Sequence, residues 1–211
     1  MKKQLSLCFL AAALAGPASA TTWTDWTSAT NFTATGMAGS VAVNFSSTAA
    51  IVPQIFGGTD YYAPWPGGAP NPDNTDILQL NSAGTRTITF SQAVTGVQLA
   101  LVSWNVGGAT TFNHAFASAA IGCGFWGCGS ISPTPGNMGF TASGEVHGTL
   151  TFGGPISTLT IVDGSENWHG LTVGYEAVAA PVPEPETYAM MLAGLGLLGV
   201  MSRRRKQKLN A

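Results

Sequence analysis

The residues best equipped for chemistry are Glu166-Asn167-Trp168-His169, with Asp163 just before them and Glu145-Val146-His147 some twenty positions upstream. Carboxylates and amides can bond sugar hydroxyls while an indole offers an apolar face, and the same oxygens could ligate calcium. A plainer reading competes: a tryptophan entering a β-sandwich strand is usually core, and a histidine beside it often bonds a turn. A second set, Asp60, Tyr61, Tyr62 and Trp65, lies in a proline-rich stretch and would make a stacking platform for a sugar chain, with Asp60 as acceptor. Loop aromatics also commonly fold back onto a sheet. Asp73-Asn74-Thr75-Asp76 lacks the spacing and closing glutamate of a calcium loop and reads as an Asx turn before a strand at Ile77 to Leu80.

Signals for turnover are weak. Glu145 and Glu166 could serve as a glycosidase pair, but their separation is not written in the sequence. No nucleophile elbow singles out a serine, and the histidines His114, His147 and His169 form no His-Glu-x-x-His motif. The expectation is therefore a protein that is not an enzyme and carries no resident metal or cofactor, calcium being the one ion the acidic residues bring into question.

Stepping outward from these residues, short runs alternate apolar and small or polar residues with no helical period. Val41, Val43 and Phe45 form one such run; Ile88 and Phe90, then Val97, Leu99 and Leu101, form others. Leu150 and Phe152, Leu159 and Ile161, and Leu171, Val173 and Tyr175 continue the pattern. These read as strands of a sheet with one solvated face, so the fold class is all-β, a β-sandwich or jelly roll. Residues 87–97 and 149–159 repeat one pattern of strand, break and strand, as two equivalent strand pairs of one sandwich would. Residues 57–76 read as a long loop. Residues 122–139 read as a second loop, carrying Trp126 and the pair Cys123 and Cys128, for which a disulfide is expected in an oxidising compartment.

Both ends of the 211-residue chain have a different character. Lys2 and Lys3, an apolar segment from Leu5 to Leu14, Gly16-Pro17 and the small residues Ala18-Ser19-Ala20 make a signal peptide over residues 1–20, cut after Ala20 so that the mature chain starts at Thr21. At the other end Val182-Pro183-Glu184-Pro185-Glu186 is held extended by its prolines, a shape suited to a protease cleft. An apolar run from Tyr188 to Met201 follows, then Arg203-Arg204-Arg205-Lys206-Gln207-Lys208. The predicted order is an ectodomain over 21–178, a linker and Pro-Glu-Pro element over 179–186, a single transmembrane helix over 187–202 and a basic cytoplasmic end over 203–211. At about 1.5 Å per residue the apolar run reaches roughly 21 Å, short of a hydrocarbon core near 30 Å. Gly194-Leu195-Gly196-Leu197-Leu198-Gly199 mimics a dinucleotide fingerprint but follows no strand and precedes no suitably placed acid.

The extended Pro183-Glu184-Pro185, the short span and the closing arginines, in that order, resemble the PEP-CTERM sorting signal of Gram-negative bacteria. The resemblance implies export through the secretion translocon, removal of the leader by signal peptidase, and a brief stay in the inner membrane. Cutting near Pro-Glu-Pro by an exosortase then delivers the protein to the surface. The ectodomain is similar to the lectin-like all-β domains that precede many such tails, in Trp23-Thr24-Asp25-Trp26-Thr27, Phe125-Trp126-Gly127-Cys128-Gly129, Gly144-Glu145-Val146-His147-Gly148 and the stretch from Glu166 to Gly174. That likeness implies a fold more than an activity. All ten acids lie between the two basic ends, against the single base Arg86, so nucleic acid is an unfit partner. The function expected is that of an exported surface or extracellular-matrix protein with a non-catalytic structural role. The alternatives are a carbohydrate-binding lectin-like module facing extracellular polysaccharide and a secreted glycoside hydrolase.

Overall fold

Alternating apolar and Thr or Ser residues pair as antiparallel strands because each pleat then buries one side chain and solvates the next. The computed structural model describes residues 20–177, together with 192–195 and 198. Fifteen strands occupy the first of these: β1 (Ala20–Trp23), β2 (Asp25–Ala29), β3 (Thr33–Ala38), β4 (Val41–Ser47), β5 (Ile51–Gln54), β6 (Ile77–Leu80), β7 (Gly84–Val94) and β8 (Val97–Trp104). After them come β9 (Ala109–Phe112), β10 (Phe116–Gly124), β11 (Gly127–Pro133), β12 (Gly139–Gly144), β13 (Val146–Phe152), β14 (Ile156–Asp163) and β15 (His169–Ala177), with a 3-10 turn at Pro135–Asn137.

The strands form two layers over one core. One layer runs β2-β3-β4-β7-β14-β9-β12-β11; the other runs β10-β13-β8-β15, where β15 pairs with β6 through its first residues and with β1 through its last. Strand β5 follows β6 at that edge. The β10–β11 hairpin joins the layers along one rim, so the whole is an all-β, barrel-like sandwich. Phe45, Ile88 and Ile161 from one layer meet Leu99, Phe152 and Val173 from the other in a single apolar cluster.

The repeated segments hold corresponding places. β7 crosses to β8 at Thr95-Gly96 and β13 crosses to β14 at Gly153-Gly154-Pro155. The copies then pair with each other, Leu99 opposite Leu150 and Ile88 opposite Leu159. The two strand pairs thus lie side by side within one sandwich.

Two expectations need correction. Strands β8 and β15 do not have a solvated face: every residue of β8 is buried, as are the first six of β15. The cause is the long loop over 57–76, which lies on the outer face of this layer and places Tyr62 and Trp65 against Trp23, Ile77, Ala100 and Val102. The second correction concerns residues 122–139. They are not a loop but the end of β10, a tight turn at Phe125-Trp126, β11 and the 3-10 turn.

Of the predicted transmembrane span, residues 192–195 and 198 are helical, with Leu192, Leu195 and Leu198 exposed. Among the described residues no helix is long and apolar enough to cross a membrane. The signal peptide before Ala20, Pro183-Glu184-Pro185, the rest of the span and Arg203-Arg204-Arg205 lie outside the described residues.

Candidate functional site

A groove of about 520 Å³ opens at one end of the sandwich, lined by Ser103, Asn105, Trp126, Glu145, Glu166, Asn167 and Trp168. Four separate segments supply these side chains: the end of β8, the β10–β11 turn, the residue between β12 and β13, and the connection from β14 to β15.

Trp126 arrives on the hairpin tip. Cys123 and Cys128 stand directly opposite each other in the β10–β11 ladder and form a disulfide with Cα atoms 3.9 Å apart. Gly124 and Gly127 form the last pair before the turn. A Cβ on Gly124 would lie 2.3 Å from the His147 ring, so only glycine lets the hairpin close over that histidine. The tip leaves Phe125 40% and Trp126 42% exposed.

Glu145 is tied to the same hairpin, its N–H donating to the Cys128 carbonyl at 3.1 Å. Gly144 before it has φ 73°, a left-handed turn that glycine adopts freely, and a Cβ there would lie 2.7 Å from the Cys128 oxygen. Ser103 reaches the groove by an irregularity in the β8–β13 ladder. Val146 pairs with Trp104 and Gly148 with Leu101, which leaves Val102 and Ser103 opposite His147 alone. This is a β-bulge, and it puts Ser103 at φ 51°, a left-handed conformation uncommon outside glycine. The Ser103 hydroxyl then donates to Glu145 Oε2, while its N–H donates to His147 Nδ1 at 3.4 Å. Burial pushes the His147 pKa down, so this ring is neutral at neutral pH.

Glu166 Oε2 accepts from the Asn105 N–H at 2.8 Å. Burial, and secondarily the Glu145 charge, raise its pKa to about 7 against the opposing pull of that hydrogen bond. Behind it His169 is fully buried, with Nε2 3.2 Å from Asp163 Oδ2 and Nδ1 3.6 Å from Glu166 Oε2. Asp163 also accepts from Arg86 Nε at 3.2 Å and from the Gly84 N–H at 3.0 Å. Burial lowers the His169 pKa, more than the bond to Asp163 raises it.

Aromatic packing completes the wall. Trp168 contacts Trp126 with ring centroids 4.3 Å apart, and Tyr61 stacks against Trp126 at 5.2 Å and lies 4.8 Å from Trp168.

The candidate residues thus separate. Glu166 and Trp168 line the groove, and Tyr61 braces its aromatic wall from behind. His169 stands beneath, inside the core. Asp60 and Trp65 do not line the groove: Asp60 Oδ1 accepts from the Tyr62 N–H at 2.9 Å, and Trp65 Nε1 donates to the Pro70 carbonyl at 3.0 Å. Asn74 makes the Asx turn expected before β6, accepting from the Asp76 N–H at 3.1 Å. Among the described residues no group of three or more His, Cys, Asp or Glu is placed to hold a metal ion. Ser103 and Asn105 join the groove without having drawn attention in the sequence, whereas Asn167 lies in the stretch singled out there. Trp126 had a signal in the expected disulfide pair Cys123 and Cys128 that flanks it.

Residues 181–206 match the PEP-CTERM protein-sorting motif, which implies exosortase handling and sorting to the cell surface. The match covers the tail and leaves the sandwich outside it. No curated protein and no solved structure matches the chain.

Proposed function

We propose that this chain is an exported envelope or matrix protein whose sandwich domain binds extracellular polysaccharide without turning it over. Its leader takes it through the translocon to signal peptidase, and its tail passes through the inner membrane of a Gram-negative cell to an exosortase-type protease. The binding half rests on one observation: two indoles and two carboxylates converge from three chain segments on one open groove. A pyranose has an apolar C–H face for an indole and hydroxyls for carboxylates and amides, so this mixture suits a sugar chain and supports a lectin-like role. The sorting half rests on the motif at residues 181–206.

A glycan array probed with the purified chain tests the first half. Binding lost in Trp126→Ala and Trp168→Ala, with the thermal transition retained, supports it; silence across a broad panel sinks it. For the second half, intact-mass measurement of surface-released protein should give a start at Thr21 and an end near Pro183–Thr187. Retention of Arg203 to Lys208 on the mature surface form would overturn exosortase processing.

One observation favours a second reading. A carboxyl raised to about 7 beside another carboxylate is the pairing a glycosidase uses. Release of reducing ends from a polysaccharide, abolished in both Glu145→Gln and Glu166→Gln, would move the protein into that class.

A further inference from the structure

The charge of the groove says which sugars it should take. Resting on the carbohydrate reading above, we propose that the groove is selective for glycans bearing free amines. The ammonium of a de-N-acetylated hexosamine would lie between the Glu145 and Glu166 carboxylates, with its ring against Trp126 and Trp168.

Three observations lead there. First, among the described residues the negative charge has no counter-ion in the groove, where Glu145 and Glu166 are the only ionisable side chains in the lining. Within residues 20–177 the single Lys or Arg is Arg86, fully buried and bonded to Asp163. An anionic polymer would meet repulsion there, whereas a neutral one would strip water from the carboxylates and return hydroxyl hydrogen bonds that bring no opposite charge. An ammonium returns charge-assisted bonds to both, and indole faces attract cations as well.

Second, each carboxylate is anchored by one oxygen and presents the other. Glu145 uses Oε2 for Ser103 Oγ, and Glu166 uses Oε2 for Asn105 N. Among the described residues the Oε1 atom of neither makes a hydrogen bond. The anchors hold both groups in place by one oxygen each.

Third, a buried acceptor points at this pair. His169 is neutral, and the Nε2 that faces the Asp163 carboxylate must carry its proton, which leaves Nδ1 as a lone pair. That Nδ1 has no hydrogen-bond partner and faces Glu166 Oε2 at 3.6 Å. Lone pair confronts carboxylate with no donor between them, so the site favours either a proton on Glu166 or a cation close by. The ammonium supplies the cation, and the Glu166 proton leaves to solvent as it binds.

Isothermal calorimetry with the purified chain and four β-1,4-linked tetramers tests this: glucosamine, N-acetylglucosamine, glucose and galacturonate. The glucosamine tetramer should bind about tenfold or more tighter than its acetylated twin, the margin that an opposite charge adds to those bonds. Glu145→Gln and Glu166→Gln should each shrink the amine-over-acetyl preference by about that factor. Glutamine keeps an oxygen for Ser103 and Asn105, so these variants should fold; Trp126→Ala should lose both ligands alike. Titration in buffers of different ionisation heat should show proton release for the amine alone. Equal affinity for the amine and acetyl tetramers, or tighter binding of galacturonate, overturns the selectivity and leaves sugar binding intact. No heat from any of the four removes this proposal, and the array then decides the broader one.

Discussion

The Trp126 ring meets the Trp168 ring with centroids 4.3 Å apart and planes at 62°, although one residue rides a hairpin tip and the other leads into β15. The contact joins two layers of chain at the mouth of the groove, but the two rings differ in how firmly the fold depends on them. Trp126 is 42% exposed. Truncating it should remove ligand binding while shifting the denaturation midpoint little. Trp168 is half-buried against the cluster of Trp23, Tyr62 and Ile77, so Trp168→Ala should lose binding and on the order of 2 kcal/mol of stability as well. Urea titrations beside binding curves separate the two.

The Cys123–Cys128 bridge closes a short loop, and cross-linking so few residues stabilises a fold by about 2 kcal/mol in the chain-entropy account. Its larger effect should be on the groove. The hairpin carries Trp126, and its Cys128 carbonyl holds the Glu145 N–H. Replacing both cysteines with serine should leave a folded sandwich with weakened glycan binding, seen as a faster off-rate at unchanged far-ultraviolet dichroism.

Arg86 and Asp163 are both fully buried, and the guanidinium also bonds Ser47 Oγ and the carbonyls of Ala49 and Ser82. Removing one partner strands the other charge away from water, which costs about 3–5 kcal/mol. Arg86→Met should therefore destabilise strongly, and should also disturb His169 through the Asp163 carboxylate they share. Equilibrium denaturation checks the first effect. Glycan affinity of the folded fraction checks the second.

Glu166 has a folded pKa of about 7, above its ordinary value of 4.5. The folded chain thus holds a proton that the unfolded chain gives up, so stability from this group is complete below about pH 4.5 and is lost as pH rises through about 7. Glutamine imitates the protonated form. Glu166→Gln should accordingly raise the melting temperature at pH 8 and change it little at pH 4, and an equal gain at both would refute this origin.

The sequence disclosed the layers better than the groove. Val41, Val43 and Phe45 alternate cleanly because β4 keeps a wet face, and β7 and β14 were legible for the same reason. Strands β8 and β15 were placed correctly, yet their second buried face was invisible because the loop that covers it is remote in sequence. The hairpin at Cys123 to Cys128 was hidden by its glycines, which give no contrast between faces, and by a Phe-Trp turn where Asn-Gly would be expected. Ser103 could not be found at all: a bulge turns it, and no residue type announces a bulge. Glu166 and Trp168 stood out by composition alone, whereas their alliance with Trp126 and Glu145 exists only after folding.

The ends of the sandwich domain have a consequence for display. Ala20 pairs with Ala177, so both termini of the domain sit side by side at one tip of β15. His169, beneath the groove, begins the same strand, and at about 3.3 Å per residue it stands roughly 26 Å away. The two ends of the domain therefore lie at the pole opposite the groove, so a ligand seated in the groove would lie far from both.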